Sequence, residues 1–157
     1  MITIRDLSDG EEPTLWELFH STIRNVNIND YTESQVRAWA PDEVDPDVWA
    51  RKMRAIRPFV VEAEGEIVGY SDLQPDGLID HLFVHHRWQH RGIGRALMSE
   101  IENRARHKGI ARLETHASVT ARPFFEAFGF TVTREQLLEL RGERLQNFVM
   151  HREITLD

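Results

Sequence analysis

The stretch Gln89-His90-Arg91-Gly92-Ile93-Gly94 carries residue types suited to a specific chemistry. It lies between an apolar run that ends at Val84 and a helical pattern that begins near Gly94. A glycine turn that opens a helix aims several backbone N–H groups one way and adds the positive end of the helix dipole. That combination binds phosphate or pyrophosphate. Gly92 and Gly94 let the backbone approach an anion with no Cβ between them. Two other readings compete with this one. An ordinary strand-to-helix connection also carries glycines and charges. A dinucleotide fold needs a third glycine near Leu97 and an acidic residue about 20 positions further on, at the end of a second strand. Leu97 is not glycine, and the chain from there towards Glu114 reads mostly as one helix. The histidines His81, His85, His86 and His90 resemble a metal cluster by count alone. On an extended strand, residues four apart lie about 13 Å from each other, too far to share an ion. No metal site is expected.

The elements that must position this turn follow from periodicity. Residues 78–84 (Leu-Ile-Asp-His-Leu-Phe-Val) read as a strand entering the turn, and residues 94–107 as the helix leaving it. That helix places Leu97, Met98, Ile101 and Ala105 on one face and stops at Gly109. Upstream, Ile2, Ile4 and Leu7 mark a first strand, and Leu15, Leu18, Phe19 and Ile23 recur at helical spacing behind Glu11-Glu12-Pro13. Thr32-Glu33-Ser34-Gln35 is a capping box for a short helix through Trp39. Asp45-Pro46 opens a third helix with Val48, Trp49, Met53 and Ile56 expected inward. Residues 59–63 and 67–71 flank Glu64-Gly65-Glu66 as a hairpin, with 78–84 as the next antiparallel strand. Residues 110–117 form a strand that should lie parallel to 78–84. A short helix over 121–128 and a hairpin of 132–140 with 145–152 complete the chain. The expectation is a single α+β domain spanning 1–157, with a mixed, mostly antiparallel sheet of about seven strands flanked by helices.

Composition narrows the class. The 157 residues, 41% hydrophobic, suit one domain with a real core. The absence of cysteine excludes disulfides, thiolate metal sites and thiol nucleophiles. The N-terminus is too short and polar for a signal peptide, and no apolar run approaches about 20 residues. A soluble cytoplasmic protein without membrane contact is expected. A net charge of −7 argues against a nucleic-acid surface and is compatible with a cationic substrate.

The residues also resemble a known family. Gln-x-x-Gly-x-Gly after a strand ending in Val is similar to the acetyl-CoA signature of the Gcn5-related N-acetyltransferases. Downstream, Ser118-x-x-Ala121-x-x-Phe124-Phe125-x-x-x-Gly129-Phe130 is similar to that family's Asn-x-x-Ala-x-x-Phe-Tyr-x-x-x-Gly-Phe segment. The two motifs stand in the family's order and at its usual separation, covering about half the chain.

The resemblance implies a site. The pyrophosphate of acetyl-CoA would rest on the backbone of Gln89, His90, Arg91, Gly92, Ile93, Gly94 and Arg95, with Arg91 and Arg95 adding charge. The pantetheine arm would run as an extra strand against Leu82, Phe83 and Val84, where two parallel strands splay, and a backbone N–H near Leu82 would receive the oxyanion. Ser118, Phe124 and Phe125 also fall in the cofactor segment. The family commonly places its base on the strand face shared by Leu78 and Asp80. Its most familiar glutamate position falls on Leu78, which has no proton chemistry, so Asp80 is the candidate base and His116 the second. A solvated Asp80 and a structural His116 are the competing readings. Where the family often carries a Tyr acid, this chain has Phe125, leaving Ser118, a water or nothing to protonate the thiolate; Ser118 also fits a helix cap. Tyr31 and Trp39 would line the acceptor pocket within the early helical wall.

The function implied is acetyl transfer from acetyl-CoA to a primary amine, by direct attack on the thioester and without a metal. A non-catalytic acyl-CoA sensor and a protein–protein adaptor remain as alternatives. The acceptor could be a small molecule or a protein amine, and the exposed edge strands are compatible with a homodimer.

Overall fold

A computed structural model describes residues 1–156. The order is β1 (Ile2–Asp6), α1 (Glu12–Asn25), a 3₁₀ turn (Asn27–Asn29), α2 (Glu33–Trp39), α3 (Pro46–Ile56), β2 (Phe59–Ala63), β3 (Glu66–Ser71), β4 (Leu78–Ile79), β5 (Leu82–Val84), a second 3₁₀ turn (His86–Trp88), α4 (Ile93–Lys108), β6 (Arg112–Ser118), α5 (Arg122–Ala127), β7 (Thr131–Leu140) and β8 (Glu143–Glu153). The strands form two four-stranded sheets, in the orders β1-β2-β3-β5 and β4-β6-β8-β7. Among the described residues only the β4–β6 pair is parallel.

Local chemistry explains the helix limits. At α2, Thr32 Oγ1 accepts the Gln35 N–H at 3.1 Å while Gln35 Oε1 accepts the Thr32 N–H at 2.8 Å, the expected capping box. Asp45 Oδ1 caps α3 by accepting from the Asp47 N–H at 2.9 Å, with Pro46 as the first helical residue. Two apolar clusters sandwich the first sheet. Phe59, Val61, Ala63 and Val68 point to α4 and the second sheet, whereas Val60 and Tyr70 point to α1 and α3. Period-two alternation sorts the side chains of β2, and in β3 a one-residue register shift at Val68 turns it to the face opposite Tyr70. On α4, Leu97, Met98, Ile101 and Ala105 are fully buried, as the helical spacing required; full burial of each larger side chain is worth about 1.5–3 kcal/mol.

Two expectations need correction. Residues 78–84 are not one strand. The chain breaks at Asp80-His81, so that β4 pairs with β6 in the second sheet and β5 with β3 in the first. The buried carboxylate of Asp72 causes the break: it accepts the N–H of His81 at 2.7 Å and that of Asp80 at 3.3 Å. The Ser71 hydroxyl donates to the His81 carbonyl at 2.6 Å. Side chains replace ladder partners at this point, satisfying the backbone while freeing it to change sheets. The extra break accounts for eight strands rather than seven. The second correction is Val48, expected inward on α3 but 51% exposed; Trp49 and Met53 alone carry that helix's buried face. No helix among the described residues is long and apolar enough to cross a membrane.

Candidate active site

The break in the central strand opens a cleft. β4 leaves β6 after the pairs Leu78–Glu114 and Ile79–Thr115, and β5 then runs beside β3, so residues 116–118 of β6 lack a partner on that side. A cavity of about 1160 Å³ fills the gap and continues beneath α1, α2 and α3. Its two ends have different chemistry.

At one end lies the turn into α4. Gly92 is the N-cap at φ +85°, and no side chain caps the helix. The first intrahelical bond runs from the Ala96 N–H to the Gly92 carbonyl at 3.0 Å, leaving the N–H groups of Ile93, Gly94 and Arg95 without helical partners. His90, at φ +59°, gives the turn a second left-handed residue. Arg91 lies over the Trp88 ring at 4.0 Å and Arg95 near the Phe128 ring at 5.4 Å, both exposed at the helix mouth. Unpaired N–H groups, a helix dipole and two guanidinium groups fit a pyrophosphate. Gln89, whose backbone is expected to contribute to the anion site, turns its side chain inward, where Nε2 donates to the Val84 carbonyl at 2.8 Å. The Thr22 hydroxyl donates to the same carbonyl at 3.1 Å, so Val84 offers a ligand its N–H side rather than its carbonyl. The two motif glycines differ in role. A Cβ on Gly92 would meet nothing within 4 Å, whereas one on Gly94 would lie 2.7 Å from Cε1 of Phe124. Gly92 serves the left-handed backbone, and Gly94 serves the close approach of α4 to α5.

The other end is walled by aromatic rings. Trp16 meets Trp49 at 5.0 Å, Phe19 meets Phe83 at 5.0 Å, and Tyr31 meets Trp39 at 5.6 Å. Trp16 and Trp49 thus pack on each other and line the cleft wall as well. The Tyr31 ring lines the cleft, but its hydroxyl is engaged internally: it donates to the Gln146 carbonyl at 2.6 Å and accepts the Val119 N–H at 2.8 Å.

Between the two ends sit the candidate proton-handling groups. Asp80 is exposed to the cleft, and no ion pair among the described residues involves it. His116 borders the cleft with both ring nitrogens engaged, Nε2 at 3.1 Å from Glu114 Oε2 and Nδ1 at 3.3 Å from Gln136 Nε2. Ser118 Oγ accepts the Ala121 N–H at 3.0 Å, which is the turn-capping role ahead of α5. It also lies 3.4 Å from Asn27 Nδ2. Phe125 is 2% exposed and packs on Phe130 at 5.1 Å, a core ring at the cleft floor. Among the described residues no group of three or more His, Asp or Glu side chains is arranged to hold a metal ion.

The residue that alternation concealed is His81. Alternation along the strand puts it on the face opposite Asp80, yet its ring reaches the cleft. It is 5% exposed, with Nδ1 2.9 Å from the Tyr70 hydroxyl and its ring 5.7 Å from Phe19 and 5.6 Å from Phe83. Burial pulls its pKa down to about 4, so the imidazole is neutral near pH 7. Burial likewise raises Asp72 to about 6, against the three hydrogen bonds it accepts, and holds the Tyr70 hydroxyl protonated. The only sequence signal for this cluster was a polar Asp-His pair inside an otherwise apolar run.

The pattern of the acetyltransferase (GNAT) domain matches residues 27–152. The chain belongs to the GNAT acetyltransferase family. Among its relatives, the Escherichia coli N-acetyltransferase YafP is 30% identical over 149 residues, covering 95% of this chain and 94% of that protein. A GCN5-related N-acetyltransferase from Rhodopseudomonas palustris superposes with a TM-score of 0.91 at 27% identity, over 97% of this GNAT chain and 95% of that one. YncA from Salmonella typhimurium, solved with acetyl-CoA, shares the fold at a TM-score of 0.68 and 21% identity, over 100% of this chain and 95% of its own. The enzyme class is thus acetyltransferase, and the α+β GNAT architecture expected from the sequence is the one observed.

Proposed function

We propose that this acetyltransferase transfers the acetyl group of acetyl-CoA to a primary amine by direct attack on the thioester. The observation that carries the reading is the uncapped start of α4 opening into the gap between β5 and β6, with Asp80 at the far side. The N–H groups of Ile93, Gly94 and Arg95 would hold the pyrophosphate, and the free side of β5 would pair with the pantetheine amides. When bound, acetyl-CoA supplies the activated acyl carbon. The acceptor amine sheds a proton to Asp80, directly or through a water, and its lone pair forms the C–N bond. A backbone N–H of β5 near Leu82 faces the developing oxyanion. The C–S bond then breaks, and the thiolate leaves without strong acid help, since a thiol pKa near 8.5 makes it a fair leaving group. Phe125 has no proton to give, and Ser118 Oγ accepts from the Ala121 N–H and from Asn27 Nδ2.

Asp80 is preferred over His116 because its carboxylate is unengaged, whereas both nitrogens of His116 have partners. The test is Asp80→Asn, read by thiol release and by acetyl-CoA titration. Turnover should fall by about 100-fold or more with unchanged acetyl-CoA affinity. Full turnover in the variant would remove Asp80 from the mechanism. Binding without turnover in the parent, over a broad amine panel, would identify an acyl-CoA sensor instead.

A further inference from the structure

Two polar features accompany Asp80 in the cleft, and the transfer chemistry alone requires neither. The first is the proton arrangement on His81. The Tyr70 hydroxyl is fully buried, and among the described residues its sole hydrogen-bond partner is His81 Nδ1 at 2.9 Å. A buried hydroxyl proton left unpaired is unfavourable, so the O–H donates to Nδ1. A neutral imidazole that accepts at Nδ1 carries its hydrogen on Nε2. No described protein group bonds that nitrogen, and the ring borders the cleft. His81 therefore presents a fixed N–H donor to the cleft and is not a base in its resting state.

The second is Lys52, which joins Asp80 at the cleft. Both border the same cavity, neither forms an ion pair among the described residues, and the His81 ring feels both charges. An anion, a neutral donor and a cation thus share one aromatic-walled compartment. A polyamine would leave Lys52 facing like charge. A simple aryl amine would leave both Lys52 and the His81 N–H without an acceptor. A peptide N-terminus would bring its amine but place an amide where the cation lies.

Resting on the transferase reading above, we propose that the acceptor is a free amino acid with an apolar or aromatic side group. Its amine lies at Asp80, its carboxylate accepts from His81 Nε2–H and faces Lys52, and its side group enters the wall formed by Trp16, Trp49, Phe83 and Trp39. The carboxylate would bind by charge-assisted hydrogen bonds, the stronger kind, while the rings supply contact area.

The test is a thiol-release assay with acetyl-CoA and the twenty standard amino acids, the amides of the apolar ones, phenethylamine, spermidine and a short peptide with a free N-terminus. Acetyl-CoA binding is measured in parallel by calorimetry. The expected result is that an apolar or aromatic amino acid exceeds its own amide by about tenfold or more in kcat/KM. Lys52→Met, an exposed substitution, should remove that advantage while leaving acetyl-CoA affinity unchanged. His81→Gln should retain part of it and His81→Phe none. Preference for the amide, spermidine or the peptide, or an advantage that survives Lys52→Met, overturns the proposal. Acetyl-CoA binding with no amino acid turned over overturns it and leaves the cofactor site standing. Failure to bind acetyl-CoA removes the transferase reading and this one with it.

Discussion

Alanine at Gly94 would place a Cβ 2.7 Å from Cε1 of Phe124 and 3.3 Å from its Cζ. Non-bonded carbons settle at about 3.5–4.0 Å, so the ring or the helix start must shift by about 1 Å. The ring is hemmed in by Phe125 at 5.3 Å and Phe128 at 4.9 Å. Overpacking of this kind destabilises by about 1–3 kcal/mol, against up to about 1 kcal/mol of helix propensity gained from Gly→Ala. The single variant therefore understates the clash, and a double-mutant cycle isolates it. Urea unfolding of Gly94→Ala, Phe124→Leu and the double variant should give a coupling of about 1–3 kcal/mol, with Gly94→Ala neutral or stabilising once the ring is gone. Gly92→Ala is the control. With open space around it and φ at +85°, it should lose about 1–2 kcal/mol whether or not Phe124 is present. A Gly94–Phe124 coupling below about 0.5 kcal/mol would refute the claim that this glycine exists for helix–ring packing.

Tyr31→Phe leaves the Val119 N–H and the Gln146 carbonyl without their partner and should lower unfolding stability by about 1–3 kcal/mol in denaturant melts; an unchanged midpoint would mean water replaces the hydroxyl. Phe125→Tyr restores the residue the family often carries, but buries its hydroxyl in a core position. Stability should drop by about 1–3 kcal/mol with no gain in kcat, and a rise in kcat would show that the hydroxyl reaches the thiol. Asp72→Asn tests the buried acid. Folded Asp72 holds its proton up to about pH 6, while the unfolded chain releases it near 4, so this group lowers stability as pH climbs from about 4 to 6. His81, pulled down to about 4, acts in the opposite sense between about pH 4 and 6.5 and offsets it. Removing the Asp72 carboxyl should make the variant-minus-parent unfolding free energy rise by about 2 kcal/mol across pH 4–6, measured by urea denaturation at several pH values. A flat difference would contradict the burial argument.

The phosphate-binding turn was legible because its chemistry is local: glycines, a helix start and basic residues lie within seven positions of each other. The capping box at Thr32, the stop at Gly109 and the buried face of α4 were legible for the same reason, being set by residues three or four apart. The break at Asp80-His81 was not. Alternation along residues 78–84 continues straight through it, and the cause is a carboxylate eight and nine residues upstream that takes over two backbone N–H groups. His81 was hidden with it, because periodicity assigns a face but not how far a ring reaches along that face. Gly94 was read as clearance for an anion because its neighbour Phe124 comes from a different helix, thirty residues away. Val48 was assigned inward by spacing, yet α3 buries a narrower stripe than its pattern suggests, since the cleft rather than core lies beside it.

The central claim is that the uncapped start of α4 holds the pyrophosphate of acetyl-CoA. Titration calorimetry of the intact protein with acetyl-CoA, and separately with S-acetylpantetheine, tests it most directly, because the second ligand keeps the thioester arm and lacks the pyrophosphate. Two or more charge-assisted bonds from Ile93, Gly94 and Arg95 predict one-to-one binding of acetyl-CoA at least about 100-fold tighter than that of S-acetylpantetheine. Affinities within about threefold of each other would contradict the account.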